Sequence, residues 1–293
     1  MRSSAPFITV LVSTLILLSA SMILSCPRAV AAAPSIVVTY PENGKAYNST
    51  TIESTWSIEN GEGNLTSEYS LDLGMYISVG PNTSIVLHDL LEGYHDLTIR
   101  CLDEHEGEGS VSISFLVDTF APDVQFTQVE TLYSNLDSVM LEWVASDSGS
   151  GVDHMETKVD EGAWVNKGNA NREIVNLATD GLHIFEARAF DRAGNYLSAY
   201  REIMLDRERP QLELHSPDDG ENLNVSSVLV TWSGDDALSG ISYYEVQMDS
   251  IQPYSYMVPT PHEYRSVADG RHEIRVTAFD RAGNIRTITL SIV

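Results

Sequence analysis

The chain is poor in cysteine and in lysine. Its 293 residues include two Cys and only three Lys: Lys45, Lys158 and Lys167. Cys26 lies in an N-terminal apolar segment, so Cys101 has no partner in the remainder. A disulfide framework is therefore not expected, and packing has to hold the fold. Cys101 reads as a buried, inert thiol. Basic residues number 17 against 42 acidic ones, a formal net charge of −25. That balance argues against nucleic acid and anionic membrane surfaces as partners. After the N-terminal segment no apolar run is long enough to cross a bilayer. Catalytic signatures are missing as well: there is no His-Glu-x-x-His, no Gly-x-Ser-x-Gly and no phosphate-binding glycine loop. The expectation is a protein that is not an enzyme. Strong acidity can signal disorder, but a hydrophobic content of 43% argues for packed domains.

What is present, above all, is repetition. Ala189-Phe190-Asp191-Arg192-Ala193-Gly194-Asn195 recurs as Ala278-Phe279-Asp280-Arg281-Ala282-Gly283-Asn284, with a worn copy at Cys101-Leu102-Asp103. The aspartates of these copies are 88 and then 89 residues apart. Trp56, Trp143 and Trp232 nearly keep that period, as do Asp72, Asp160 and Asp249. So do Gly93-Tyr94-His95, Gly181-Leu182-His183 and Gly270-Arg271-His272. A unit of about 90 residues is too long for a solenoid turn and suits an autonomous small domain. We therefore expect domains at 35–118 (divergent), 119–206 and 207–293.

Residues 1–31 read as an export segment. Arg2 precedes an uncharged, mostly apolar run from Phe7 to Leu24, and Ala29-Val30-Ala31 is an Ala-x-Ala cleavage pattern. Three readings stand: a cleaved signal peptide, an uncleaved N-terminal anchor, or lipidation at Cys26 in Ile23-Leu24-Ser25-Cys26. Each places the rest of the chain outside the cytoplasm, and membrane contact is expected only through this segment. Asn48, Asn64, Asn82 and Asn224 open glycosylation sequons.

Alternation with period two marks the strands. His183, Phe185, Ala187, Ala189 and Asp191 share one face, matched by His272 to Asp280 and by His95 to Asp103. Val139, Leu141 and Trp143 form an earlier strand, matched by Val228, Val230 and Trp232. Loops rich in Gly, Ser, Asp and Asn separate them. One core Trp per copy and short, regularly spaced strands predict all-β sandwiches.

The pattern Gly-x-His-x-Φ-x-Φ-x-Ala-x-Asp-x-Ala-Gly-Asn, preceded by Asp-x-x-Ser-Gly, resembles the Ig-like, fibronectin type III-like repeats of prokaryotic surface proteins. The resemblance covers residues 35–293. It implies tandem sandwiches on a secreted or surface-bound chain, with a spacer or binding role. It also implies that His95, His183 and His272 pin a turn, where fibronectin-like domains carry a corner Tyr. Repeat 1 departs from the pattern, with His105-Glu106-Gly107 in place of Ala-Gly-Asn and no clear Asp-x-x-Ser-Gly.

Two linkers match, Asp118-Thr119-Phe120-Ala121-Pro122 and Asp206-Arg207-Glu208-Arg209-Pro210. Proline makes each joint stiff and extended. The aspartates invite two readings. As turn caps, Asp191 and Asp280 would accept backbone N–H groups. As calcium ligands, Asp147 and Asp191 would approach Asp118, and Asp236 and Asp280 would approach Asp206. The run Asp103-Glu104-His105-Glu106-Gly107-Glu108 reads as a solvated hairpin tip with a divalent ion as the alternative. Trp164, Tyr243, Tyr254 and Tyr256 are read as packed on a sheet, with sugar binding as the alternative. The expected function is a stalk or spacer contacting envelope proteins. The alternative is an adhesion or carbohydrate-binding module that meets surface glycans.

Overall fold

The computed structural model describes residues 32–105, 107–128 and 130–293. The export segment, its cleavage pattern, Cys26 and Glu106 lie outside the described residues. Among the described residues every regular element is a strand. No helix there is long and apolar enough to cross a membrane.

The first repeat runs β1 (Ser35–Tyr40), β2 (Ala46–Tyr47), β3 (Ile52–Glu59), β4 (Thr66–Leu71), β5 (Ile77–Gly80), β6 (Ser84–Leu87), β7 (Gly93–Leu102) and β8 (Glu108–Val117). One sheet has the order β1-β3-β6 and the other β2-β8-β7-β4-β5. The second repeat runs β9 (Asp123–Phe126), β10 (Leu132–Ser134), β11 (Ser138–Ser146), β12 (Val152–Val159), β13 (Val165–Gly168), β14 (Arg172–Asn176), β15 (Gly181–Asp191) and β16 (Tyr196–Leu205). Its sheets, β14-β11-β9 and β10-β16-β15-β12-β13, reproduce the first pair. The third runs β17 (Gln211–Ser216), β18 (Ser227–Asp235), β19 (Ile241–Met248), β20 (Tyr254–Tyr256), β21 (His262–Arg265), β22 (His272–Asp280) and β23 (Ile285–Ile292). Its sheets are β17-β18-β21 and β20-β19-β22-β23.

In each repeat a short strand, β5, β13 or β20, pairs with the strand before it, β4, β12 or β19, in the larger sheet. An Ig constant-type domain instead puts a fourth strand on the smaller sheet. These are therefore fibronectin type III-like sandwiches within the Ig-like class. β2 and β10 are parallel to the last strand of their repeat, β8 and β16. They are two and three residues long, too short for any period to show in the sequence.

Each sandwich has its own core. The inner stripe of β15 is buried from His183 to Asp191, and that of β7 from His95 to Cys101, with Asp103 buried just beyond the strand. Trp56, Trp143 and Trp232 are buried in three separate apolar clusters. The indole N–H of Trp143 donates to the Ala170 carbonyl at 3.0 Å. The small inward positions Cys101, Ala189 and Ala278 have no exposed surface. A larger side chain there would have to displace its neighbours in a close-packed interior.

Candidate functional site

Two constructions repeat with the period, and both grow from the ends of the long inner strands. The first lies at the start of β7, β15 and β22. Gly93, Gly181 and Gly270 have φ values of 123°, 129° and 131°, a region that glycine enters without a Cβ clash. The histidine two residues later then points inward. His183 Nδ1 meets Asp160 Oδ2 at 2.8 Å and His183 Nε2 meets the Thr179 carbonyl at 2.8 Å. His95 does the same with Asp72 and Leu91, and His272 with Asp249 and Ala268. The three aspartates are left-handed, at φ 50°, 51° and 50°, a conformation that Asp tolerates when its side chain bonds locally. Asp160 Oδ1 accepts the Ile184 N–H at 2.9 Å while the Asp160 N–H donates to the Ile184 carbonyl at 2.8 Å. Each clamp thus ties the end of one strand to the start of its neighbour.

The chemistry of the clamp follows from its acceptors. Burial opposes the charged form of His183, but the hydrogen bonds to Asp160 and the Thr179 carbonyl outweigh it and raise its pKa. For His272 the bond to Asp249 leads, and its pKa is raised as well. Burial would raise the pKa of Asp160 and Asp249, yet their bonds to the histidine and to a backbone N–H win and lower it. The aspartates kept the period in the sequence, but their pairing with the histidines was visible only once β12 was placed beside β15.

The second construction lies at the opposite end of the inner strands, where each linker enters. Ligand-type oxygens of Asp118, Asp147 and Asp191 lie within 4.8 Å of one another, and those of Asp206, Asp236 and Asp280 do the same. These are the two triplets picked out by the sequence. Asp118, Asp191, Asp206 and Asp280 are buried. The ion pairs that Lys and Arg form among the described residues involve other carboxylates.

Neutral donors hold the acids instead. At the first joint Asp118 Oδ2 accepts the Ser150 N–H at 2.6 Å, and Asp147 Oδ1 accepts the N–H groups of Gly149 and Gly151 at 3.1 and 2.6 Å. Asp191 Oδ1 accepts Gly194 and Asn195 N–H at 2.6 and 2.8 Å, the turn-cap geometry. The Asn195 amide reaches Asp191 Oδ2 at 2.7 Å, the Asp118 carbonyl at 2.8 Å and the Phe120 carbonyl at 3.1 Å. At the second joint Asp206 Oδ2 accepts both the N–H and the hydroxyl of Ser239, at 3.1 and 2.5 Å. Asp236 Oδ1 accepts Gly240 N–H at 2.7 Å, and the Asn284 amide donates to the Asp206 carbonyl at 2.8 Å. Burial raises the Asp280 pKa against the lowering pull of its Asn284 and Gly283 hydrogen-bond donors, and the nearby Asp206 carboxylate adds to the rise.

The linkers are gripped from the preceding side too. Thr119 N–H donates to Glu92 Oε2 at 3.0 Å, and at the matching positions Arg207 Nε donates to Asp180 Oδ1 at 2.7 Å.

The remaining sequence-derived residues fall into place singly. Asn48, Asn64, Asn82 and Asn224 are all exposed. Cys101 is buried and unpaired, and burial raises its thiol pKa. In repeat 1, Asp103 Oδ1 caps its turn by accepting His105 and Gly107 N–H at 2.8 and 2.7 Å. Trp164 has the Arg188 guanidinium 4.1 Å over its ring. Tyr243 stacks on Phe279 at 4.3 Å, and Tyr256 packs against Trp232 at 5.6 Å. On the outer face of β16, Tyr196 and Tyr200 are 54% and 68% exposed, and sequence reading did not single them out.

No protein-family profile matches the chain. No curated protein matches it in sequence either. Among solved structures the chain has partial likenesses. The fibronectin(III)-like modules of Clostridium thermocellum CbhA align at 15% identity and TM-score 0.42, over 58% of this chain and 93% of that one. A 1.5-MDa bacterial ice-binding adhesin aligns at 15% identity and TM-score 0.38, over 88% and 95%. Immunoglobulin domains 1–5 of Sidekick-1 align at 10% identity and TM-score 0.40, over 90% of this chain and 58% of that one. By its repeated sheet orders the chain is a tandem array of Ig/fibronectin III-like β-sandwiches.

Proposed function

We propose that the chain is a non-enzymatic, exported cell-surface protein, a stalk or spacer of Ig-like modules with protein contacts in the envelope. One observation carries this reading: both linkers are fastened on both sides. Asn195 holds the carbonyls of Asp118 and Phe120 to the second sandwich, while Glu92 holds Thr119 to the first. Asn284 and Asp180 hold the second linker in the matching way. A joint with its backbone groups satisfied on both flanks resists bending more than a free tether does. Stiff joints suit a spacer, and the strongly acidic composition suits a solvated exterior. The test combines external protease treatment of intact cells with small-angle scattering of the purified chain. Digestion from outside and a maximum dimension close to three sandwiches end to end are expected. Protection from the protease, or a collapsed particle, would end the spacer reading.

The adhesion reading keeps one specific observation: Tyr196 and Tyr200 stand exposed on the same face of β16. Binding to a glycan array that is lost in Tyr196→Ala and Tyr200→Ala would favour it over a plain spacer.

A further inference from the structure

The two joints share their three aspartates and their asparagine but differ at the third carboxylate. At the first, both oxygens of Asp191 have partners, because the Asn195 amide turns to Oδ2 at 2.7 Å. At the second, Asp280 Oδ1 accepts the Asn284 N–H at 2.7 Å, but Asp280 Oδ2 is buried with no hydrogen-bond partner. The residue is 3% exposed. The Asn284 amide makes its hydrogen bond to the Asp206 carbonyl at 2.8 Å, and none within bonding geometry to Asp280 Oδ2. A buried carboxylate oxygen without a donor is costly, more so with two other carboxylates beside it.

We propose that Asp206, Asp236 and Asp280 form a divalent-cation site for calcium at the entry to the third sandwich. The donors are hard oxygens: three carboxylates with the Ser239 hydroxyl beside them. Calcium takes oxygen ligands at about 2.3–2.6 Å, so two ligands of one ion lie up to roughly 5 Å apart. A triplet confined within 4.8 Å fits that span. The ion supplies the positive charge that no Lys or Arg brings to the triplet, and it gives Asp280 Oδ2 its partner. The first joint needs it less, since the Asn195 amide already fills the matching position. The site is independent of what the repeats bind, so it stands or falls apart from the spacer reading.

The experiment is calorimetric titration of the chelator-treated full chain with calcium chloride, with thermal unfolding in calcium and in chelator. One calcium per chain is expected, with a rise of several degrees in the unfolding of the third repeat, because an ion bound only to the folded state stabilises it. Asp280→Asn should abolish the binding heat and Asp191→Asn should retain it. Should Asp280→Asn fail to fold by circular dichroism, Asp236→Asn takes its place, because its carboxylate is only half-buried. Three results would overturn the proposal: no binding heat, heat that survives both second-joint variants, or equal binding at two sites of which Asp191→Asn removes one. The first would leave Asp280 Oδ2 to a water or a proton shared with its neighbours.

Discussion

His183 is held through both ring nitrogens by acceptors, Asp160 Oδ2 and the Thr179 carbonyl, each at 2.8 Å. Both acceptors are satisfied only when both ring nitrogens carry a proton, so the pair favours the imidazolium and raises the His183 pKa. The ring is also buried. Removing it leaves Asp160 without its cation and the Thr179 carbonyl without its donor. His183→Ala is expected to destabilise the second sandwich by about 2 kcal/mol, the scale of a hydrogen bond to a charged group. Urea unfolding followed by Trp143 fluorescence measures this, and an unchanged midpoint would show that the clamp adds nothing.

The same clamp sets a pH window. The folded pKa of His183 and His272 is raised, so their contribution is complete below the ordinary histidine value of 6.5 and fades as pH climbs through the raised one. The folded pKa of Asp160 and Asp249 is lowered, so theirs is complete above the ordinary 3.8 and fades as pH falls through the lowered one. The gap in melting temperature between wild type and His183→Ala should be widest between about pH 4 and 6.5 and close towards pH 9. A gap that grows with alkaline pH would contradict the assignment.

Phe120 is 66% exposed within a linker whose backbone is fastened. Chymotrypsin needs that backbone free to enter its cleft. Asn195→Ala removes the amide from the Asp118 and Phe120 carbonyls, so cleavage after Phe120 should speed up about tenfold, the effect of losing a little over 1 kcal/mol of local protection. Asn284→Ala should leave the rate at Phe120 unchanged. Equal rates in wild type and Asn195→Ala would mean that other contacts hold the linker.

Cys101 has no exposed surface, and burial raises its thiol pKa. A thiol reagent at neutral pH should leave it unlabelled in the native protein and label it fully in denaturant. Peptide mass analysis reads the adduct. Rapid native labelling would mean that the first sandwich opens locally.

Much of this fold is legible in the sequence. The stripe from His183 to Asp191 alternates cleanly because one side of β15 faces a core and the other does not. The carboxylate triplets were legible for a related reason: Asp191 and Asp280 end a strand, and Asp118 and Asp206 begin a linker. Fold topology then brings those ends together. The His–Asp pairs were harder, because partners 23 residues apart meet only through the register of β12 on β15. The difference between Asn195 and Asn284 was out of reach, since one amide turning towards a carboxylate leaves no mark in two identical letters.

Asp118 belongs to two sandwiches at once. Its N–H donates to the Tyr47 carbonyl of the first, and its carboxylate accepts the Ser150 N–H of the second. Asp206 does the same with Ser134 and Ser239. The first and second units therefore each end in the piece that completes the next. Gene duplication in steps of one whole unit would carry the fastening along with the copy, so the reach of such a chain can change by copy number without a new joint having to evolve.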